Sequence, residues 1–163
     1  MASRVPLAQA VIEKIVVLSA SGRLDTTAIE KIAREFGWDV VAADNVREAA
    51  ALHYSGGTVA VLFHRDAFGA CSWSGALKQI RQALPNVLPV ACHGFSDPID
   101  WTGMSDAGLF HSLWLPLKES EVRRTFGFLW EARKRIPDPP YMHTRLLNKS
   151  VFTPAALKAF AAA

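Results

Sequence analysis

Cysteine is nearly absent. Only Cys71 and Cys92 occur in 163 residues, too few for a disulfide framework or a four-cysteine zinc site, so reduced thiols are expected. Long apolar runs are missing as well. None approaches the roughly 20 residues that a membrane helix needs, and Met1 to Gln9 lacks the basic start and apolar stretch of a signal peptide. These absences predict a cytoplasmic protein with no membrane contact. Neither G-x-G-x-x-G nor G-x-x-x-x-G-K-[ST] is present, which removes the two glycine-rich phosphate loops that carry a sequence signature. Charge is also sparse, at 20% of residues against 50% apolar. A chain this long and this apolar can bury a full core, so a single globular domain is expected rather than disorder.

The net charge of +3 is small. Its distribution says more: from Lys118 onward there are nine Lys or Arg against four Asp or Glu, and before it nine against eleven. The basic excess therefore lies in the C-terminal part. A solvated helix face is the preferred reading, and nucleic acid is expected only through an attached domain or this basic tail.

What is present is an alternation of short β-branched runs with helical periods, the pattern of βαβ units on a parallel sheet. Ile15 to Leu18 reads as a central strand. Thr27 and Glu30 have capping-box spacing ahead of the stripe Ile29, Ile32, Ala33, Phe36. Strand two is Asp39 to Ala43, followed by a helix from Asp44 or Asn45 to Gly56-Gly57. Strand three is Val59 to Phe63, and a loop from His64 to Ser74 leads to a helix with Leu77, Ile80 and Leu84 inward. Strand four is Val87 to His93. A short helix is expected around Ile99 to Ala107, then strand five from Leu109 to Leu115, then a long helix from Glu119 to about Arg135 with Val122, Phe126, Leu129 and Trp130 on one face. Pro137, Pro139 and Pro140 break it. The organisation is thus an N-terminal segment 1–13, a domain over 14–136, and a Pro-rich connector and tail over 137–163 with a possible short helix after Thr153-Pro154.

These five βα units, with Val87-Leu88-Pro89-Val90 in the fourth strand and Leu113-Trp114-Leu115-Pro116-Leu117 closing the fifth, resemble the receiver domains of two-component response regulators. The resemblance covers about residues 14 to 135 and is closest to the divergent N-terminal pseudo-receivers of bacterial enhancer-binding transcription activators. It implies an α/β, doubly wound, five-stranded parallel sheet of the flavodoxin or receiver type, in strand order 2-1-3-4-5, with helices on both faces.

By that resemblance, a working receiver needs an acidic pair after strand one for Mg²⁺, a phospho-accepting Asp ending strand three, a Ser or Thr ending strand four, and a Lys before the proline ending strand five. The acidic pair falls here on Ser19 and Ala20, and the acceptor on His64. The hydroxyl falls on Gly94, and Leu115 replaces the Lys. All four elements are missing, and only Asp66, two residues past His64, offers a carboxylate nearby. Asp25 and Lys118 are further charges close by, although Asp25 reads more simply as a cap for helix one. The resemblance therefore implies a degenerate phosphorylation pocket, no catalytic residue and no enzyme activity.

Other constellations are weaker. His64 and His93 emerge from neighbouring strand ends and, with Asp66 or Cys71, suggest a transition-metal site, but two polar loop residues are the preferred reading. The turn Ser19-Ala20-Ser21-Gly22-Arg23 suits a phosphate, yet small residues fill any tight βα turn. No cofactor is called. Trp38 and Trp130 read as core margin, Trp73 and Trp101 as loop or weakly helical residues able to anchor an interface, His111 as a structural histidine and Cys92 as a buried thiol.

The sequence thus points to a phosphorylation-independent interaction or dimerisation module in bacterial signal transduction or transcription regulation. It would meet a protein partner or a second copy through the face of the fourth helix, fifth strand and fifth helix, with Trp114, Lys118, Arg123, Phe126 and Trp130 as contacts. The alternatives are a switch whose vacant pocket binds an anion, nucleotide or metal, and a residual phospho-receiver using Asp66.

Overall fold

The computed structural model describes residues 12–20 and 23–135. Contacts divide the chain into a unit that ends at Glu131 and a second that begins at Ala132. The turn at Ser21-Gly22, the proline connector and the helix expected after Thr153-Pro154 lie outside the described residues.

The elements alternate as the residue pattern requires: β1 (Lys14–Leu18), α1 (Thr27–Glu35), β2 (Asp39–Ala43), α2 (Val46–Tyr54), β3 (Thr58–Phe63), a 3-10 turn (Arg65–Phe68), α3 (Trp73–Ala83), β4 (Leu88–His93), α4 (Trp101–Asp106), β5 (His111–Trp114) and α5 (Glu119–Arg135). All strand pairs are parallel, in the order β2-β1-β3-β4-β5. This is the expected doubly wound sheet.

Strand period two sorts the apolar residues into two cores, one on each face of the sheet. Ile15, Val17, Ala60, Leu62, Val90, Cys92 and Leu113 meet α1 and α5 through Ile29, Ile32, Val122, Phe126 and Leu129. Val16, Leu18, Val61, Phe63 and Ala91 meet α2, α3 and α4 through Ala49, Ala76, Leu77, Ile80 and Met104.

Helix starts follow side-chain capping, though not always as predicted. The Thr27–Glu30 capping box does not form. Instead Asp25 Oδ1 accepts from Thr27 N–H at 3.0 Å and from its hydroxyl at 2.7 Å, and these bonds hold the Asp25 carboxyl below the usual carboxylate range. Asn45 caps α2 by accepting from Glu48 N–H. Ser72, two residues earlier than the loop prediction allows, caps α3 by accepting from Gly75 N–H at 3.1 Å. That makes Trp73 the first residue of a helix, where it is buried.

Candidate functional site

The carboxyl ends of the strands form the crevice where folds of this topology bind ligands. Parallel pairing of Leu18 with Phe63 sets Ser19 and His64 side by side at the strand ends, and the sheet pattern continues one bond further, with His64 N–H donating to Leu18 O at 2.9 Å. A cavity of ≈ 170 Å³ opens there, lined by Ser19, Arg23, Leu24, His64, Asp66 and Leu115.

Asp66 reaches this cavity through a local turn. The His64 ring caps the 3-10 turn, its Nδ1 lying 3.2 Å from Asp66 N. This folds the chain back so that Asp66 Oδ1 accepts from Ala20 N–H at 3.0 Å, with the Ser19 hydroxyl 3.4 Å from both carboxylate oxygens. His64 Nδ1 is also 3.1 Å from Asp66 Oδ1. One nitrogen cannot serve both contacts at once: unprotonated, it accepts from the Asp66 amide, and protonated, it donates to the carboxylate. Either way the carboxylate is nearly buried and already bonded from the end of β1; the protonated His64 ring adds a bond from the end of β3.

Ser19 and Ala20 supply no carboxylate, Leu115 presents an apolar side chain, and Gly94 has only its backbone, whose N–H donates to Asp97 Oδ2 at 2.7 Å. Asp25 is spent on α1. Among the described residues no three His, Cys, Asp or Glu come together in a metal-holding group. The Trp73 ring packs against both His64 and His93, with centroids 5.8 Å from His64 and 6.4 Å from His93. Cys71 and Cys92 are both free thiols.

A second cluster lies at the ends of β4 and β5. The His93 ring is 1% exposed and is enclosed by indoles: Trp73, Trp101 at 5.1 Å and Trp114 at 4.6 Å. Phe95 packs on Trp114 at 4.3 Å. The outer rings face solvent, with Phe95 86%, Trp101 47% and Trp114 40% exposed. Beneath them, His93 Nε2 and Trp73 Nε1 are buried without a hydrogen-bond partner among the described residues. The residue pattern marks the tryptophans one at a time; their convergence on His93, and the part played by Phe95, come from contacts that no local pattern contains.

The predicted interface set needs correction. Trp114 and Lys118 are exposed, but Phe126 is fully buried between Trp38 and Phe36 and belongs to the core. Arg123 turns toward α1, where its guanidinium pairs with Glu35 at 2.8 and 2.9 Å; that bond lowers the Glu35 carboxyl and raises Arg123. Trp130 packs on Phe36 and Trp38, each at 5.9 Å. Helical geometry explains the error: with 122, 126 and 129 inward, 123 and 130 fall on the α1 flank while Phe128 falls on the β5 flank, against His111 at 5.5 Å.

No family model matches this chain, and no curated protein matches it. Solved structures do. The chain is similar to a response regulator receiver domain protein from Clostridium thermocellum, with 16% identity over 76% of this chain and 98% of that one and a TM-score of 0.59. It is similar to the receiver domain of NtrX from Brucella abortus, with 15% identity, 72% and 98% coverage and a TM-score of 0.60. Against the longer NtrX chain the TM-score is 0.63 at 16% identity over 85% of this chain, which spans only 31% of that protein. The fold is that of response-regulator receiver domains.

Proposed function

We propose that this chain is a pseudo-receiver: a phosphorylation-independent, non-enzymatic interaction module in bacterial signal transduction or transcription regulation. The observation that carries the reading is the bonding of Asp66. The one carboxylate lining the cavity accepts from the Ala20 amide, has the Ser19 hydroxyl at 3.4 Å, and is met by His64 when its Nδ1 carries a proton. With no acidic pair to bring Mg²⁺ and Leu115 in place of a cation, phosphoryl transfer lacks the charges that would steady its transition state.

Two rival readings use the same cavity. A residual phospho-receiver is favoured by one fact, that Asp66 does reach the strand ends. An anion-binding switch draws support from Arg23 on the cavity wall, but the amide and hydroxyl best suited to hold an anion are already taken by Asp66. Intact-mass spectrometry after incubation with acetyl phosphate and Mg²⁺, beside Asp66→Ala and with light scattering on the same samples, separates the first rival. No adduct and an unchanged oligomer are expected. An adduct lost in Asp66→Ala would replace the pseudo-receiver by a phospho-switch.

A further inference from the structure

The interaction reading leaves the partner's chemistry open, and the aromatic cluster at the ends of β4 and β5 narrows it. Exposed aromatics in one contiguous patch are uncommon on a soluble surface and mark contact sites. Here Phe95, Trp101 and Trp114 share such a patch over the buried His93 ring.

Along the chain the charge near it is acidic, between Arg81, whose guanidinium lies against Gly108, and Lys118. From residue 82 to residue 117 the chain holds Asp97, Asp100 and Asp106 and not one Lys, Arg or Glu, although the whole chain carries +3. Two of these carboxylates sit in the loop between Phe95 and Trp101. Asp97 Oδ2 accepts from Gly94 N–H at 2.7 Å and Asp100 Oδ1 from Gly103 N–H at 3.1 Å. Each of these bonds uses one of the two carboxylate oxygens. Indole faces beside carboxylate oxygens are the surroundings a guanidinium seeks, since it stacks on the ring while donating in its plane to the acid.

Resting on the pseudo-receiver reading, we propose that the Phe95–Trp101–Trp114 patch binds an arginine-bearing segment of a partner protein, with Asp97 and Asp100 pairing its guanidinium groups. Arginine is preferred over lysine, because a compact ammonium cannot stack and fork at once.

The test titrates the full chain into fluorescein-labelled, capped dodecapeptides of alternating Gly with Arg, Lys or Glu, read by anisotropy. The Arg peptide binds saturably, the Lys peptide several-fold more weakly, and the Glu peptide not at all. Trp114→Ala weakens the Arg peptide at least tenfold. So does Asp97→Asn with Asp100→Asn, a pair whose amide oxygens can still accept from Gly94 N–H in the loop and from Gly103 N–H at the α4 cap; an unchanged urea midpoint in this pair excludes misfolding as the cause. Asp39→Asn, which removes the same charge at β2 on the opposite edge of the sheet, leaves binding unchanged. Equal binding of the Glu peptide, absence of Arg binding, or indifference to the patch variants overturns the proposal. Self-association of the wild type that Trp114→Ala abolishes also overturns it, by making a second copy the occupant. An Asp66 phosphoryl adduct with Arg-peptide binding intact would end the phosphorylation-independent reading while leaving this patch assigned.

Discussion

Cys92 illustrates how one residue's chemistry is set by its strand. It lies wholly inside β4, on the side facing α1 and α5, and burial pushes its thiol up to about 12. The thiolate is the reactive form, so Cys92 is inert at neutral pH while the fold holds. Cys71, half-buried at the entry to α3, has its sulfur 3.4 Å from the Gln79 amide nitrogen and keeps access to solvent. Native chain treated with iodoacetamide is expected to gain one label by intact mass, at Cys71, and two in denaturant. Two labels on the native chain would mean that β4 opens on the timescale of the reaction. Asp66 makes the same point in polar terms: its identity as the nearest carboxylate was readable from the sequence, but its bonds to Ser19 and Ala20 span more than forty positions and follow from the β1–β3 register, which no local pattern reveals.

At the level of elements, α5 is where pattern and placement part. Its apolar spacing puts Val122, Phe126, Leu129 and Trp130 on one face; the first three are buried, and Trp130 is exposed on the α1 flank. The same spacing cannot say which flank meets α1 and which meets β5, and Arg123 and Trp130 lie on the α1 flank. Phe126→Ala is therefore expected to cost about 3–5 kcal/mol of stability, seen as a lower urea midpoint. Arg123→Ala, which breaks only an exposed pair with Glu35, should shift it little. Loss of partner binding in Phe126→Ala at unchanged stability would return that residue to an interface. The five strands, their order and α5 were all legible from β-branched runs and the resemblance. The start of α3 was not, because Ser72 and Ser74 are both good caps and only packing of Trp73 against Phe63, at 5.9 Å, decides between them.

Over the whole molecule, acid sensitivity above the carboxylate range should come from histidine. His53, on α2, and His111, on β5, both titrate below the ordinary 6.5, chiefly because burial disfavours the charged ring, with Lys14 and Arg124 adding repulsion respectively. A base whose folded value is depressed binds fewer protons in the native state than in the unfolded one across that gap. Stability therefore rises with pH through the window and falls as pH drops from about 6.5 toward the folded values. The carboxyls of Glu35 and Asp25 are themselves lowered, so their favourable contributions are lost only on further acidification, below their ordinary 4.5 and 3.8. Urea midpoints measured between pH 7.5 and 5.5 isolate the histidines. The wild type should lose stability across that interval, and His53→Gln with His111→Gln should flatten the slope even if its absolute stability changes. An equal slope in the double variant would assign the acid sensitivity elsewhere.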